Sequence, residues 1–210
     1  MHRSLRAHML ALLMVLIAST ALAQAPNPDR PASQPRAERK PQGRPHGTKV
    51  EVDPSRLEVD DGDTAVIRWS ASDSETVRFL GIDTPETRHV AHDIPYAQSF
   101  GPEARAFAIG AFAFATKVEL LRSATLDPYG RSLGYFFING KNYSVLVVSA
   151  RFAEETVSRY GDNGLPEPAA AVAAAAKAAG PVPFESPGDF RRRMRDVSRW
   201  MKANNISPEE

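Results

Sequence analysis

Three charged side chains lie close together around a short apolar strand and the turn that follows it. Arg78 is flanked by apolar, β-favouring residues, which predicts a strand. Asp83 and Glu86 follow, and Pro85 predicts a turn there because its ring fixes φ. A guanidinium and two carboxylates are costly to bury unless they are paired. A metal ion and a phosphate would pair them, whereas the alternative is a solvated turn with a surface ion pair.

These residue types match the requirements of phosphodiester hydrolysis. A pentacoordinate phosphorus develops negative charge, which two arginines stabilise well because the guanidinium fork matches phosphate oxygens. A hard divalent cation needs carboxylate and carbonyl ligands, and the attacking water needs a carboxylate that positions or deprotonates it. The sequence supplies a candidate for each part: Arg78 and Arg131 for the phosphate, Asp63, Asp83 and the Thr84 carbonyl for the cation, and Glu86 for the water.

The composition excludes several other chemistries. The chain has no cysteine, so disulfides, thiolate metal sites and cysteine nucleophiles are excluded. Any bound metal is therefore expected to be held by oxygen or imidazole. His89 and His92 share one loop, but a zinc site there is disfavoured.

Short strands followed by helices must position these side chains. Alternation and turn residues predict strands at 56–59, 64–69, 76–82, 117–122 and 133–138. Helices are predicted from Gly101, over 144–152 with Ser144 as a cap, and over 168–179. This order predicts an α+β fold, a five-stranded OB-type β-barrel with about three packed helices. Such barrels commonly bind oligonucleotides.

The N-terminal residues have the pattern of an export signal. Arg3 and Arg6 precede a short apolar run at 9–17, and Ala21-Leu22-Ala23 offers a small-residue cleavage site. The sequence predicts a Sec-type signal peptide over 1–23, cleaved after Ala23, and a secreted or periplasmic protein. An uncleaved membrane anchor is the alternative. No stable membrane span is expected once the signal is removed.

Composition divides the remaining chain into three parts. Residues 24–49 are rich in Pro, Arg, Gln and Ala and predict a disordered linker, followed by a domain at 50–185. The basic tail at 186–210 could form a short helix around Trp200. Residues 51–190 contain 12 Lys/Arg and 20 Asp/Glu, whereas both flanking segments are basic. If this acidic core binds nucleic acid, a few placed arginines and a cation must do so, with the basic arms as possible helpers.

Four motifs, in order and spacing, resemble the staphylococcal nuclease (thermonuclease) family. Each motif is weak alone, but four in the same order form a specific pattern. The resemblance covers roughly residues 56–153. The matching motifs are Asp61-Gly62-Asp63-Thr64, the stretch from Arg78 to Thr87 (RFLGIDTPET), Gly101-Pro102-Glu103-Ala104, and the stretch from Asp127 to Tyr135 (DPYGRSLGY).

The resemblance implies a five-stranded OB-type barrel and calcium-dependent cleavage of DNA and RNA. It also implies roles for the matching residues: Asp63, Asp83 and the Thr84 carbonyl as calcium ligands, Arg78 and Arg131 as phosphate-binding residues, Glu86 as the base that accepts a proton from water or orients it, Tyr129 near the bound nucleotide, and Asp61 as a supporting carboxylate behind the calcium ligands.

The sequence departs from the family pattern outside these positions. The loop at 87–100 is about three residues longer, and Pro128 replaces a lysine that contacts substrate phosphate. Tyr160 is a candidate for a second tyrosine near the nucleotide. These departures would affect affinity rather than the catalytic residues.

We expect an exported, monomeric, sugar-non-specific endonuclease. One alternative is an OB-fold module that binds nucleic acid with weak catalysis or none. Replacement of Glu86 or of an arginine would indicate that alternative, and neither is replaced. A further alternative is an exported calcium-binding or envelope-associated protein that acts through its basic arms.

Overall fold

The computed structural model describes residues 39–208 of the chain. The predicted signal peptide and residues 24–38 of the predicted linker lie outside the described residues. Within 39–208, none of the helices has the length and apolar character needed to cross a bilayer.

Within the described range, five strands precede the first α-helix and three α-helices close the chain, in an α+β arrangement with five α-helices. The strands are β1 (Lys49–Val52), β2 (Leu57–Val59), β3 (Thr64–Arg68), β4 (Ser74–Phe79), β5 (Ile82–Asp83), β6 (Val118–Leu126), β7 (Ser132–Ile138), β8 (Lys141–Asn142) and β9 (Glu154–Glu155). The helices are α1 (Gly101–Ala113), α2 (Tyr143–Ser149), α3 (Val157–Tyr160), α4 (Pro166–Ala179) and α5 (Pro187–Ala203).

A curled sheet forms the half-barrel that supports the site. Its strand order is β1-β6-β7-β4-β3-β2, and β8 pairs with β7. Antiparallel pairing joins the neighbouring strands except β4 and β7, which pair in parallel with Val77 opposite Ser132. The expected α+β class and OB-type barrel are confirmed. The five expected strands correspond to β2, β3, β4, β6 and β7.

Alternation along β4 separates the core from the site. Val77 and Phe79 point into the core, and Arg78 between them points to the other face. The Phe79 ring packs edge-to-face against Phe136 and Tyr143, with ring centroids 4.9 and 5.3 Å apart. This geometry suits aromatic quadrupoles. Strand β4 therefore packs into the barrel through Val77 and Phe79 and places the Arg78 guanidinium on the opposite face.

The barrel also buries an ion pair that the sequence pattern does not reveal. Arg122 on β6 is only 1% exposed, and its Nε and Nη2 donate to the two carboxylate oxygens of Glu75 on β4 at 2.7 Å each. Trp69 Nε1 also donates to Glu75 at 2.8 Å. Burial would raise the pKa of Glu75, but the hydrogen bonds from Arg122, Ser132 and Trp69 hold it below its ordinary value.

Glu75→Gln is expected to lower the free energy of unfolding by about 3–5 kcal/mol, because it leaves the Arg122 charge buried without a counter-charge. The lowered pKa of Glu75 adds pH dependence. Its stabilisation is complete above the unfolded pKa of about 4.3 and is lost as pH falls through the lower folded value. Urea unfolding followed by circular dichroism checks both. Glu58→Gln is the control, since Glu58 pairs with Arg68 at the surface; equal losses in both variants would contradict the prediction.

The last part of the segment predicted as a linker lies along the barrel. Gln42 N donates to Ala124 O at 2.8 Å, and Leu126 N donates to Lys40 O at 2.9 Å, so this segment runs beside β6. The Gln42 side chain donates to Ser132 Oγ at 2.9 Å. Residues 40–47 are thus bound to the sheet, and β1 continues the same path along β6.

Two helical details differ from the expectation. Asn142, rather than Ser144, caps α2: its side chain accepts from Ser144 N, whereas Ser144 Oγ donates to Leu80 O at 2.9 Å. The basic tail forms α5, which is longer than the short helix expected around Trp200 and spans 17 residues. Its apolar row contains Phe190 and Met194, which form a small separate cluster with Ile94.

Candidate active site

A tight turn between β2 and β3 delivers Asp63. The side chain of Asp61 accepts from Asp63 N at 2.9 Å, the local bond by which aspartate stabilises turns. Asp63 is only 1% exposed, and its Oδ2 accepts from Thr84 N at 2.8 Å. The turn after β5 is thereby tied directly to the turn before β3. Two stretches that are distant in sequence form one wall of the site.

The guanidinium of Arg78 contacts both carboxylates among the three predicted cation ligands. Its Nη1 contacts Asp63 Oδ1, and its Nη2 donates to Asp83 Oδ1 at 2.7 Å. Both carboxylates therefore lie within the span of one guanidinium fork. Burial would raise the pKa of Asp83, but Arg78 and Arg191 hold it below its ordinary value, so the side chain stays ionised.

Glu86 lies beside this pair and is held by the long loop at 87–100. Its backbone N donates to Gln98 Oε1 at 3.1 Å, and its carbonyl accepts from Gln98 N at 2.9 Å. Burial raises the pKa of Glu86 above its ordinary value, although Arg191 opposes the shift. Gln98 is buried and positions the main chain of Glu86. Sequence reasoning missed it, because only the return of the loop brings the two residues together.

Two glycines allow the backbone segments of the site to approach each other. A Cβ on Gly62 would lie 2.7–2.9 Å from side-chain atoms of Thr84, and one on Gly101 would lie 2.1 Å from the carbonyl oxygen of Glu86. Gly101 is the first residue of α1. The first residue of that helix can therefore lie against the Glu86 backbone only because Gly101 has no side chain.

Gly101→Ala is expected to lower kcat at least tenfold, because the added methyl group displaces the Glu86 main chain and a misplacement of about 1 Å can cost ~10²-fold. Steady-state cleavage kinetics and thermal unfolding check this. Gly110→Ala, in the same helix with open space at its Cβ, is the control. It should retain activity and gain about 0.5–1 kcal/mol of stability. Equal kcat values in the two variants would contradict the prediction.

Arg131 and Tyr129 lie on the turn before β7, where Asp127 organises the chain. Asp127 Oδ1 accepts from the backbone N of both Tyr129 and Arg131, and Asp127 Oδ2 accepts from Arg131 Nε at 2.6 Å. Tyr129 is 85% exposed and lies beside the Arg131 guanidinium. None of the contacts described within 39–208 joins Arg131 to Asp83 or Glu86. In the structure, Arg78 therefore contacts the carboxylates of Asp63 and Asp83, whereas Arg131 pairs with Asp127 instead.

Electrostatics nevertheless connect this turn to the site. Burial raises the pKa of Asp61, whereas Arg78 and then Arg131 act in the opposite direction. Both guanidinium groups therefore lie within interaction range of Asp61.

The residue that sequence reasoning missed most completely is Arg191 on α5. Its Nη2 donates to Asp83 Oδ2 at 2.8 Å, and its Nη1 donates to Asp83 Oδ1 at 3.1 Å and also contacts Glu86 Oε1. Burial would lower the pKa of Arg191, but the two carboxylates raise it above its ordinary value. The run of arginines at 191–193 was the only hint, and nothing in its spacing pointed to the site.

The donor set suits a hard divalent cation. The carboxylates of Asp63 and Asp83, with the carbonyl of Thr84 next to Asp83 in sequence, provide oxygen ligands of the type that calcium and magnesium prefer. Within residues 39–208, no group of three or more His, Asp or Glu side chains is arranged so that it could hold a metal ion by itself. The predicted set contains two carboxylates and one backbone oxygen, and water would have to complete it.

One comparison with known proteins bears on this site. A family model described as "Staphylococcal nuclease homologue" matches residues 76–180, half of the chain. The match includes Arg78, Asp83, Glu86 and Arg131, begins after Asp63, and ends before α5. It confirms the family predicted from the four motifs and supports a nuclease-type function. The chain belongs to the staphylococcal nuclease homologue family.

Proposed function

We propose that this protein is a calcium-dependent nuclease that hydrolyses phosphodiester bonds of DNA and RNA by attack of water at phosphorus. The observation that carries the proposal is the buried cluster around Arg78. One guanidinium spans Asp63 and Asp83, and Glu86 lies next to them. A surface ion pair needs none of this burial, whereas phosphodiester chemistry uses every member of the cluster.

Each side chain has a separate task in the proposed reaction. Asp63, Asp83 and the Thr84 carbonyl would hold a calcium ion, which when bound neutralises phosphate charge and polarises the phosphorus centre. Glu86 accepts a proton from the attacking water, or orients that water, while the new oxygen–phosphorus bond forms and the bond to the leaving oxygen breaks. The leaving oxygen takes a proton from solvent.

The arginines stabilise the charge that develops at phosphorus. Arg78 faces the phosphate beside the cation ligands, and Arg131 approaches from the turn before β7. The exposed ring of Tyr129 offers a stacking surface for the neighbouring base. These contacts go to phosphate and base rather than to the sugar 2′-hydroxyl, which supports action on both DNA and RNA.

The alternative function is nucleic-acid binding with weak catalysis or none. The contact of Arg191 with Asp83 and Glu86 favours it, because both acids are already neutralised by this chain. The enzyme remains the better-supported function, since each proposed catalytic position is occupied by a competent residue. Export to the periplasm or exterior, where calcium can be plentiful, is part of the proposal and rests on the N-terminal pattern.

The test is cleavage of single-stranded DNA, duplex DNA and RNA in calcium, in magnesium and in chelator. Cleavage of both nucleic acids in calcium, and its loss in chelator, is the expected result. Oligonucleotide binding by folded protein without cleavage under any condition would establish the binding module instead.

A further inference from the structure

The C-terminal helix α5 reaches the active site from outside the family domain. The family match ends at residue 180, and α5 spans Pro187–Ala203. Its first turns place Arg191 against the carboxylates of Asp83 and Glu86. This helix is therefore an addition to the matched domain that contacts the proposed chemistry directly.

The anchors of α5 are independent of those carboxylates. Ile94 packs with Phe190 and Met194, and these three buried side chains form a cluster apart from the main core. Further along the helix, Ser198 Oγ donates to Asp93 Oδ1 at 2.8 Å, and Lys202 Nζ contacts the same oxygen at 2.5 Å. The helix is thus attached to the loop at 87–100, and Arg191 extends from it into the site.

The preceding segment is attached to the same loop. Gln98 Nε2 donates to Glu185 O at 2.7 Å, and Gln98 also bonds the backbone of Glu86. The Gln98 side chain therefore links Glu185, just before α5, to the backbone of Glu86, the proposed catalytic residue. The segment that leads into α5 is therefore held beside Glu86 by a contact that does not involve the ion pairs of Arg191.

Arg191 uses the lone pairs that a cation would need. Asp83 Oδ2 accepts from Arg191 Nη2, and Asp83 Oδ1 is shared between Arg78 and Arg191. Arg191 Nη1 also contacts Glu86, the proposed partner of the attacking water. Two positive groups at one carboxylate repel each other, and a bound divalent cation would add to that repulsion. The Arg191 side chain is 31% exposed and has solvent to turn into.

We infer that Arg191 and the divalent cation compete for Asp83, so that α5 closes the site with its own guanidinium, which also occupies Glu86, until a cation displaces that side chain. This inference rests on the cation site of the proposed function and adds its regulation. The helix stays attached through Ile94, Phe190 and Asp93, and only the Arg191 side chain changes partners. By linkage, each species weakens the binding of the other.

The test is calcium binding in the absence of nucleic acid. Isothermal titration calorimetry would compare the wild-type protein with Arg191→Gln, which keeps a polar stem but cannot form the two ion pairs. Removal of the competitor is expected to tighten calcium binding about 5- to 150-fold, the usual range of coupling between sites. Arg192→Gln is the matched control. Arg192 neighbours Arg191 but is exposed and pairs with Asp189, so its calcium affinity should equal that of the wild type.

A second measurement separates competition from a structural role. In chelator, Arg191→Gln should melt below the wild type, because Asp83 and Glu86 lose a counter-charge. Added calcium should then raise its melting temperature more than that of the wild type. Equal or weaker calcium affinity in folded Arg191→Gln would overturn the inference, and so would the absence of calcium binding in both proteins. Failure of the nuclease assay alone would count against the proposed function while leaving this binding comparison intact.

Discussion

Glu86→Gln is expected to lower kcat about 10²- to 10⁴-fold, the usual contribution of a general base, with little change in the Kd for nucleic acid. The amide keeps the shape of the side chain, and the backbone bonds of Glu86 to Gln98 do not involve the carboxylate. The carboxylate acts mainly in the transition state, so its loss should appear in turnover rather than in binding. Single-turnover cleavage and equilibrium binding measure the two effects separately.

The control for Glu86→Gln makes the same change where no chemistry is proposed. Glu58 is 63% exposed and pairs with Arg68, so Glu58→Gln should retain full activity. A loss of affinity as large as the loss of rate in Glu86→Gln would show that this carboxylate holds the substrate rather than the water. Unchanged turnover would remove Glu86 from the mechanism.

Arg131→Lys is expected to lower kcat about 10²- to 10³-fold, comparable to the removal of one preorganised transition-state donor. Lysine keeps the charge but replaces the planar fork with a point charge, which cannot make two parallel bonds to phosphate oxygens. The bond from Arg131 Nε to Asp127 fixes the plane of the guanidinium in the free protein, and lysine would lose that orientation as well. Cleavage kinetics in saturating calcium measure the effect.

Arg68→Lys provides the conservative control for Arg131→Lys. Arg68 is 64% exposed at the end of β3 and bonds Glu58, so the substitution should leave kcat within a factor of about two, as expected for a surface ion pair of small energetic weight. Full activity in Arg131→Lys would mean that charge alone suffices at this position. The proposed bidentate phosphate contact would then be wrong.

The parts of the site that the sequence predicts are those encoded locally. Asp63 belongs to an Asp-Gly-Asp turn, and Asp83 follows the strand of Arg78 by only a few residues, so a short stretch of sequence contains the information. The strand alternation likewise predicts the inward-facing Val77 and Phe79. The family resemblance adds roles for the site residues, whereas the local sequence pattern indicates only that they lie close to one another.

The parts that could not be predicted depend on contacts between distant segments. Arg122 and Glu75 each look like ordinary charged strand residues, and only the packing of β4, β6 and β7 shows that they form a buried pair. Gln98 and Arg191 reach Glu86 through a loop return and a helix whose docking no sequence period encodes. Tertiary geometry, rather than residue type, decides these contacts.

The parallel pairing of β4 with β7 also determines when the protein can acquire activity as it folds. The local hairpins β3–β4 and β6–β7 can form on the scale of about 1–10 μs. The parallel pairing of β4 with β7 places Val77 opposite Ser132, and the segment between these residues contains α1. This pairing therefore costs more chain entropy than a hairpin does, and it forms more slowly. Until β4 and β7 pair, Arg78 and Arg131 remain in separate hairpins. A full-length chain in which β4 and β7 have not yet paired is therefore expected to carry the proposed catalytic residues without nuclease activity.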